Sequence, residues 1–230
     1  MAGLRKIQSF VRRSGRLTPS QQKGLTQLWA DYALEPQVDF LLDFSAIFSN
    51  ENAVVLEIGF GNGDTLVQMA AQNPQLNYVG IEVYEAGIGR LISNAHKQGL
   101  GNLKVLKGDA IEFLNANIKN HCLSKVQLFF PDPWHKKKHH KRRIVSHDFL
   151  DLLSAKLTAG GELHLATDWQ DYAEQMLQML EENKHFKNIQ NAHTYSPRPD
   201  FRPLSKFEKR GQRLGHKIWD LIFINQNEER

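Results

Sequence analysis

Val54-Val55-Leu56-Glu57-Ile58-Gly59-Phe60-Gly61-Asn62-Gly63-Asp64 is the stretch on which the fold turns. A short apolar run rich in β-branched residues predicts a buried strand. Three glycines at alternate positions then predict a sharp turn in which the backbone stays open to a ligand. From Asp64 to Ala71 the spacing predicts a helix. Outward from this unit the alternation repeats. Strands are expected at 78–82, 103–106, 126–130, 162–167 and 218–224, and helices at 85–97, 149–157 and 171–182. The helix over 85–97 is expected to end near Gly99, and Gly160-Gly161 to make a turn into the strand at 162. Strands alternating with helices predict an α/β, doubly wound sheet, for which the crossover rule leaves few topologies. Such sheets bind ligands beyond the C-terminal ends of their strands.

The glycine pattern is G-x-G-x-G rather than the dinucleotide G-x-G-x-x-G, and Asp64 in the first helical turn would oppose a phosphate there. Glu82 ends the second strand, where an acid can accept from ribose hydroxyls, and Asp109 follows the third. Together with Glu57 these acids, and the lack of a phosphate-binding lysine, suit a cationic, phosphate-free nucleoside such as S-adenosylmethionine. The plainer alternative is a tight strand-to-helix turn in which Gly59 and Gly61 serve only the backbone.

Val126 to Phe130 runs into Pro131-Asp132-Pro133-Trp134, and then into His135-Lys136-Lys137-Lys138-His139-His140-Lys141-Arg142-Arg143. Neither proline can donate to a ladder, so the strand should stop here and leave Asp132 and Trp134 at its C-terminal end. A carboxylate and an aromatic can handle a base, and the cations can handle phosphates. Asp132 could instead be a turn-former, and the cations a solvated face. Crowded like charges repel one another, which argues for a polyanionic partner. Asp168 follows the fifth expected strand and could accept from the N–H groups of a base or cap the next helix. Glu208, with Lys206, Lys209 and Arg210 nearby, could form surface ion pairs.

Composition bounds the rest. The chain has 230 residues, 41% of them hydrophobic, enough for one folded domain with extensions. Lys and Arg number 29 against 25 Asp and Glu, and six of the cations lie between Lys136 and Arg143. One cysteine, Cys122, excludes an internal disulfide and a cysteine zinc site, and fits a reducing, cytoplasmic setting. No signal core or membrane span is expected. The lysines between His135 and His139 would repel a divalent cation, so no metal is expected. Residues 1–30 read as a basic arm, flexible at least at its start, and 31–230 as the domain. Trp29, Trp169 and Trp219 read as packing residues rather than base platforms.

Taken in order, Leu56 to Gly63, Gly80-Ile81-Glu82, Gly108-Asp109-Ala110, Phe130 to Lys136, Ala166-Thr167-Asp168-Trp169 and Ser205-Lys206-Phe207-Glu208 resemble tRNA (guanine-N7)-methyltransferases of the bacterial single-subunit type. The resemblance covers the chain from about Phe10 to its last strand, and the P-D-P-W-H-K and S-K-F-E blocks are its specific parts. It implies a single class I methyltransferase domain of about seven strands with the last antiparallel. The implied activity is methyl transfer from S-adenosylmethionine to the guanine at position 46 of the tRNA variable loop. It further implies that Glu57, Glu82, Asp109 and Asp132 contact the cofactor, that Lys136, Asp168 and Ser205 to Glu208 contact substrate, and that Lys138 to Arg143 contact RNA. Ser205 stands where the family commonly has threonine, and keeps the hydroxyl.

Because guanine N7 carries a lone pair and no proton, Asp132 is expected to act catalytically by stabilising positive charge or orienting the base, with Trp134 beside it. Three rivals remain at this level. They are a same-fold methyltransferase acting on an exocyclic amine, a nicotinamide oxidoreductase, and a noncatalytic RNA-binding module. Monomer and homodimer stay open.

Overall fold

The structure, a computed structural model, describes residues 9–10, 15–37, 40–204, 208, 215 and 217–227. Eight strands form one sheet: β1 (Ala33–Leu34), β2 (Val54–Ile58), β3 (Asn77–Glu82), β4 (Leu103–Lys107), β5 (Leu123–Phe129), β6 (Leu157–Thr167), β7 (Phe186–Asn188) and β8 (Trp219–Asn225). Their order is β1-β4-β3-β2-β5-β6-β8-β7. β1 to β6 pair in parallel, and β8 lies antiparallel between β6 and β7. The strand order reverses between β2 and β5, where a doubly wound sheet opens its ligand crevice.

The helices are α1 (Pro19–Thr26), α2 (Trp29–Tyr32), α3 (Phe44–Phe48), α4 (Asp64–Gln72), α5 (Glu85–Lys97), α6 (Ala110–Ala116), α7 (His147–Lys156) and α8 (Gln170–Glu182). A short 3-10 helix spans Lys137–Arg142. Alternation along the strands feeds two cores, because successive side chains leave opposite faces. Val55, Tyr78 and Val105 meet Leu66 and Met69 of α4, Leu91 and Ile92 of α5, and Tyr32 of α2. Leu56, Ile58, Val79 and Ile81 meet Leu114 of α6, Leu150 and Leu153 of α7, and Tyr172 and Met176 of α8.

The expected α/β sheet with an antiparallel last strand is present, and the expected elements differ from it mainly at their ends. Gly160-Gly161 is one difference. Both residues fall within β6, where the register with β5 shifts between Leu123 and Lys125, so they make a bulge rather than a turn.

The expected boundary at residue 30 is another. α1 lies inside that stretch yet packs on α5 so closely that a methyl group on Gly24 would overlap the Gly89 carbonyl. The signal was local. Thr18 Oγ1 accepts from Gln21 N–H and Gln21 Oε1 accepts from Thr18 N–H, a capping box with Pro19 at the first helical position.

Candidate active site at the sheet switch point

β2 delivers its chain into the glycine loop at the centre of the crevice. Gly59, Gly61 and Gly63 have φ of +73°, +59° and +72°, the left-handed region that side chains resist. A methyl group on Gly59 or Gly61 would point into open space, so both leave the backbone bare towards the cavity. Gly63 serves packing as well, since its methyl would come within 2.6 Å of the Leu91 side chain. Glu82, at the end of β3, clamps the loop. Its Oε2 accepts from Gly61 N–H at 2.8 Å, and its Oε1 from Val83 and Tyr84 N–H at 2.6 and 3.0 Å. Burial raises the Glu82 carboxyl against those three donors, and Asp132 adds to the rise.

Below the loop lies a cavity of about 910 Å³, lined by Glu57, the glycine loop, Glu82, Asp109, Asp132 and Asp168 among others. Glu57 is buried on β2, and its Oε2 has no hydrogen-bond partner. Burial, followed by the Glu82 charge, pushes its carboxyl up to about 8. An orphaned buried acid of this kind calls for a donor or a cation from a ligand. Asp109 caps α6 by accepting from Ile111 N–H at 2.9 Å while also lining the cavity. Asp64 also lines the cavity, but its charge is matched by Arg90 of α5, which pairs with it at 2.8 Å.

Asp132 sits on a strained turn. Phe130 and Trp134, at its two ends, have φ of +53° and +46°, unusual for bulky side chains. Such strain persists where surrounding structure over-determines it and concentrates at functional sites. Arg143 supplies part of that bracing. Its Nε donates to Pro133 O at 2.9 Å, its terminal nitrogens reach Gln175 and Asp171 of α8, and its guanidinium lies over Tyr172. The same contact holds the Asp171 carboxyl below its usual range.

Arg143 is only 5% exposed, so it departs from the expected RNA-contacting set. Arg142 also turns inward, stacking on the Trp134 ring at 3.6 Å. Trp134 in turn donates from Nε1 to Ser9 O at 3.1 Å, so it holds the N-terminal segment against the site and is not among the cavity's lining residues. Lys136, Lys137, Lys138 and Lys141 remain exposed, with His139 and His140 half-buried between them. Among the described residues no group of three or more His, Cys, Asp or Glu is placed to hold a metal ion.

Asp168 does not cap the helix that follows it. The N-cap of α8 is Trp169, with no side-chain capping bond, and Asp168 is exposed and lines the cavity. Trp169 was expected to pack inside, yet it stands 38% exposed.

Glu208 goes the other way. It is buried, and Arg202 Nη1 and Nη2 each donate to its carboxylate at 2.8 Å. Arg202 Nη2 also donates to Asp220 Oδ2 at 3.0 Å, and His164 Nε2 sits 2.7 Å from Asp220 Oδ1. Arg202 Nε is 3.0 Å from the same Oδ1 without hydrogen-bond alignment. Burial keeps His164 neutral-leaning despite Asp220, so Nε2 carries the donated proton. Sequence reasoning missed Arg202 as the centre of this buried network, although it lines the cavity. Ser205, Lys206 and Phe207 lie outside the described residues.

The cavity's electrostatics suit a cation. Glu57, Glu82, Asp109, Asp132 and Asp168 face it, while the guanidinium of Arg202 is already matched by Glu208 and Asp220. S-adenosylmethionine fits this set: Glu57 has an unmet acceptor, Glu82 stands where ribose hydroxyls would lie, and Gly59 and Gly61 admit close approach.

Residues 51–221 match a family described as "Putative methyltransferase". Over 96% of its length the chain is 53% identical to the tRNA (guanine-N(7)-)-methyltransferase of Pasteurella multocida (strain Pm70), covering 87% of that protein.

The chain belongs to the tRNA (guanine-N7)-methyltransferase family.

A second member of that family, from Yersinia enterocolitica serotype O:8 / biotype 1B, is 53% identical over 96% of this chain and 92% of its own. The fold extends more widely. The 16S rRNA methyltransferase KamB is similar at 17% identity with a TM-score of 0.62, over 85% of this chain and 99% of that one. TrmN from Thermus thermophilus is similar at 16% identity and a TM-score of 0.53, over 76% and 44%. At such identities the likeness concerns architecture.

Proposed function

We propose that the chain transfers a methyl group from S-adenosylmethionine to N7 of guanine in tRNA, at position 46 of the variable loop. The observation that carries this reading is a single cavity lined both by Glu57, Glu82 and Asp109 and by Asp132 and Asp168, with exposed lysines following the same turn. One set suits a cationic nucleoside and the other a guanine. The lysines suit the phosphates of the strand that presents it.

The chemistry asks for little beyond placement. Guanine N7 offers an in-plane lone pair without losing a proton, so no general base is required. When bound, the cofactor supplies a methyl group on a positively charged sulfur. Glu57 and Glu82, which line the cavity from the β2–β3 side, would hold the cationic nucleoside. Asp168 accepts from the guanine N1 and N2 protons, which fixes the Watson–Crick edge and turns N7 towards the glycine loop. Asp132 faces the purine as it becomes cationic and stabilises that charge, an electrostatic role that needs no proton transfer. In-line alignment of this kind supplies several kcal/mol of the barrier, up to roughly 7–11 in favourable cases.

Lys136 meets the phosphate or ribose edge of the target nucleotide, and Ser205, Lys206 and Phe207 are assigned to substrate contact on the resemblance of the S-K-F-E block. In this reading Glu208 acts by anchoring that segment through Arg202. Lys138, His139, His140 and Lys141 extend the RNA track, whereas Arg142 and Arg143 shape it from within. A tRNA substrate implies a cytoplasmic setting.

The test is methyl transfer from labelled cofactor to unmodified tRNA, with nucleoside analysis of the product. 7-Methylguanosine that disappears when the guanine at position 46 is replaced is the expected result. Label appearing on an exocyclic amine, or no label despite cofactor binding, would overturn the reading.

A further inference from the structure

Trp169 is a large apolar side chain at this edge that the core does not use. Its backbone is fixed: the N–H donates to Thr167 Oγ1 at 3.2 Å, and the carbonyl accepts from Tyr172 and Ala173 N–H at 3.1 and 2.9 Å. Its side chain makes no helix cap. Three residues on, Tyr172 is fully buried, so α8 keeps an aromatic for the core and leaves Trp169 outside it. The neighbour that Trp169 does have is His135, whose ring centre is 4.0 Å away at an interplanar angle of 61°. Two polypeptide segments therefore bring their rings together beside a lining residue of the cavity. Asp168, next to Trp169 in the chain, lines that cavity, and Lys136 to Lys138, next to His135, are exposed cations.

We propose that Trp169, edged by His135, is a stacking platform for the base of the nucleotide adjacent to the target guanine. The proposal rests on the reading that an RNA guanine enters the cavity. A guanine drawn into a pocket leaves the stack of its neighbours, which costs free energy. An exposed aromatic surface beside the pocket offers the abandoned neighbour a new stacking partner, and single-stranded RNA is commonly read in this way. The lysines that follow His135 hold the connecting phosphates, so base and backbone of the same nucleotide meet a matched surface. Stacking on an indole accepts any base, so the platform contributes affinity and positioning without sequence choice at that position.

The test is a steady-state cycle with the full-length enzyme and tRNA. Trp169→Ala should raise the KM for tRNA at least about tenfold, with the dissociation constant for S-adenosylmethionine unchanged, and Trp169→Phe should recover most of the loss. The decisive arm uses tRNA made abasic at each of the two nucleotides flanking the guanine. At one flank the abasic site should cost the wild-type enzyme a similar factor and cost Trp169→Ala nothing more. Fully multiplicative losses at both flanks, or a wild-type KM in Trp169→Ala, would overturn the platform. Wild-type enzyme that methylates no RNA would instead overturn the reading beneath it.

Discussion

Glu57 shows how one residue carries the site's demand for a ligand. Its carboxyl is buried with Oε2 unpartnered and raised from 4.5 to about 8, so the folded protein holds that proton more tightly than the unfolded chain does. Stability of the ligand-free protein should therefore fall as pH rises from about 4.5 to about 8, at up to ~1.4 kcal/mol per pH unit from this group alone. Glu57→Gln should flatten that slope in thermal unfolding series and weaken S-adenosylmethionine binding by roughly tenfold or more, ~1.4 kcal/mol, in calorimetry. An unchanged slope would mean that Glu57 is already compensated. The acid was legible in the sequence because it stands two positions before the first of three spaced glycines. Its lack of a partner was not, since that depends on which groups the fold fails to bring near. Trp169 and Arg143 teach the converse. A tryptophan beside a strand reads as core and an arginine in a basic run reads as surface, yet tertiary packing reversed both.

At the scale of elements, the strands β2 to β6 were legible because each is an apolar run bounded by glycine, proline or acid. β7, only three residues long, carries no run to find. The connection between β7 and β8 is rich in proline, arginine and glycine, a composition that names no element. Its meaning emerges when the sheet places Asp220 of β8 beside Arg202 and Glu208, joining residues from both sides of the S-K-F-E block. Arg202 is 1% exposed, so removing it strips buried Asp220 of its guanidinium and leaves buried Glu208 with Arg198 alone. Arg202→Ala should lower stability by about 3–5 kcal/mol, read from urea midpoints. Arg202→Lys should recover only part, since an ammonium cannot span two carboxylates as a guanidinium fork does. Wild-type stability in the alanine variant would show the network to be dispensable.

Across the whole molecule the polarity is simple: acids at the switch point, lysines at the rim, and a twisted sheet that holds them in register. Order along the sequence made the fold and most of the site readable, because both follow from what stands at the strand ends. The division of the basic run between rim and interior was unreadable, because charge density looks the same whether a side chain faces water or a neighbouring helix. That division predicts distinct phenotypes. Replacing Lys137, Lys138 and Lys141 by Gln should weaken tRNA binding and reduce its dependence on salt, by about 0.7–0.9 in the log–log slope per lost phosphate contact. Arg143→Gln should leave that slope alone and cost stability instead. A salt slope that follows Arg143 and ignores the lysines would reverse the assignment. The account rests most heavily on Asp132, the carboxylate carried on a strained turn between the acid-lined cavity and the lysines. Its most direct test is the single-turnover rate of methyl transfer to tRNA by Asp132→Asn, with cofactor affinity measured alongside. The account predicts a fall of about a hundredfold or more with cofactor affinity little changed. A wild-type rate would contradict it.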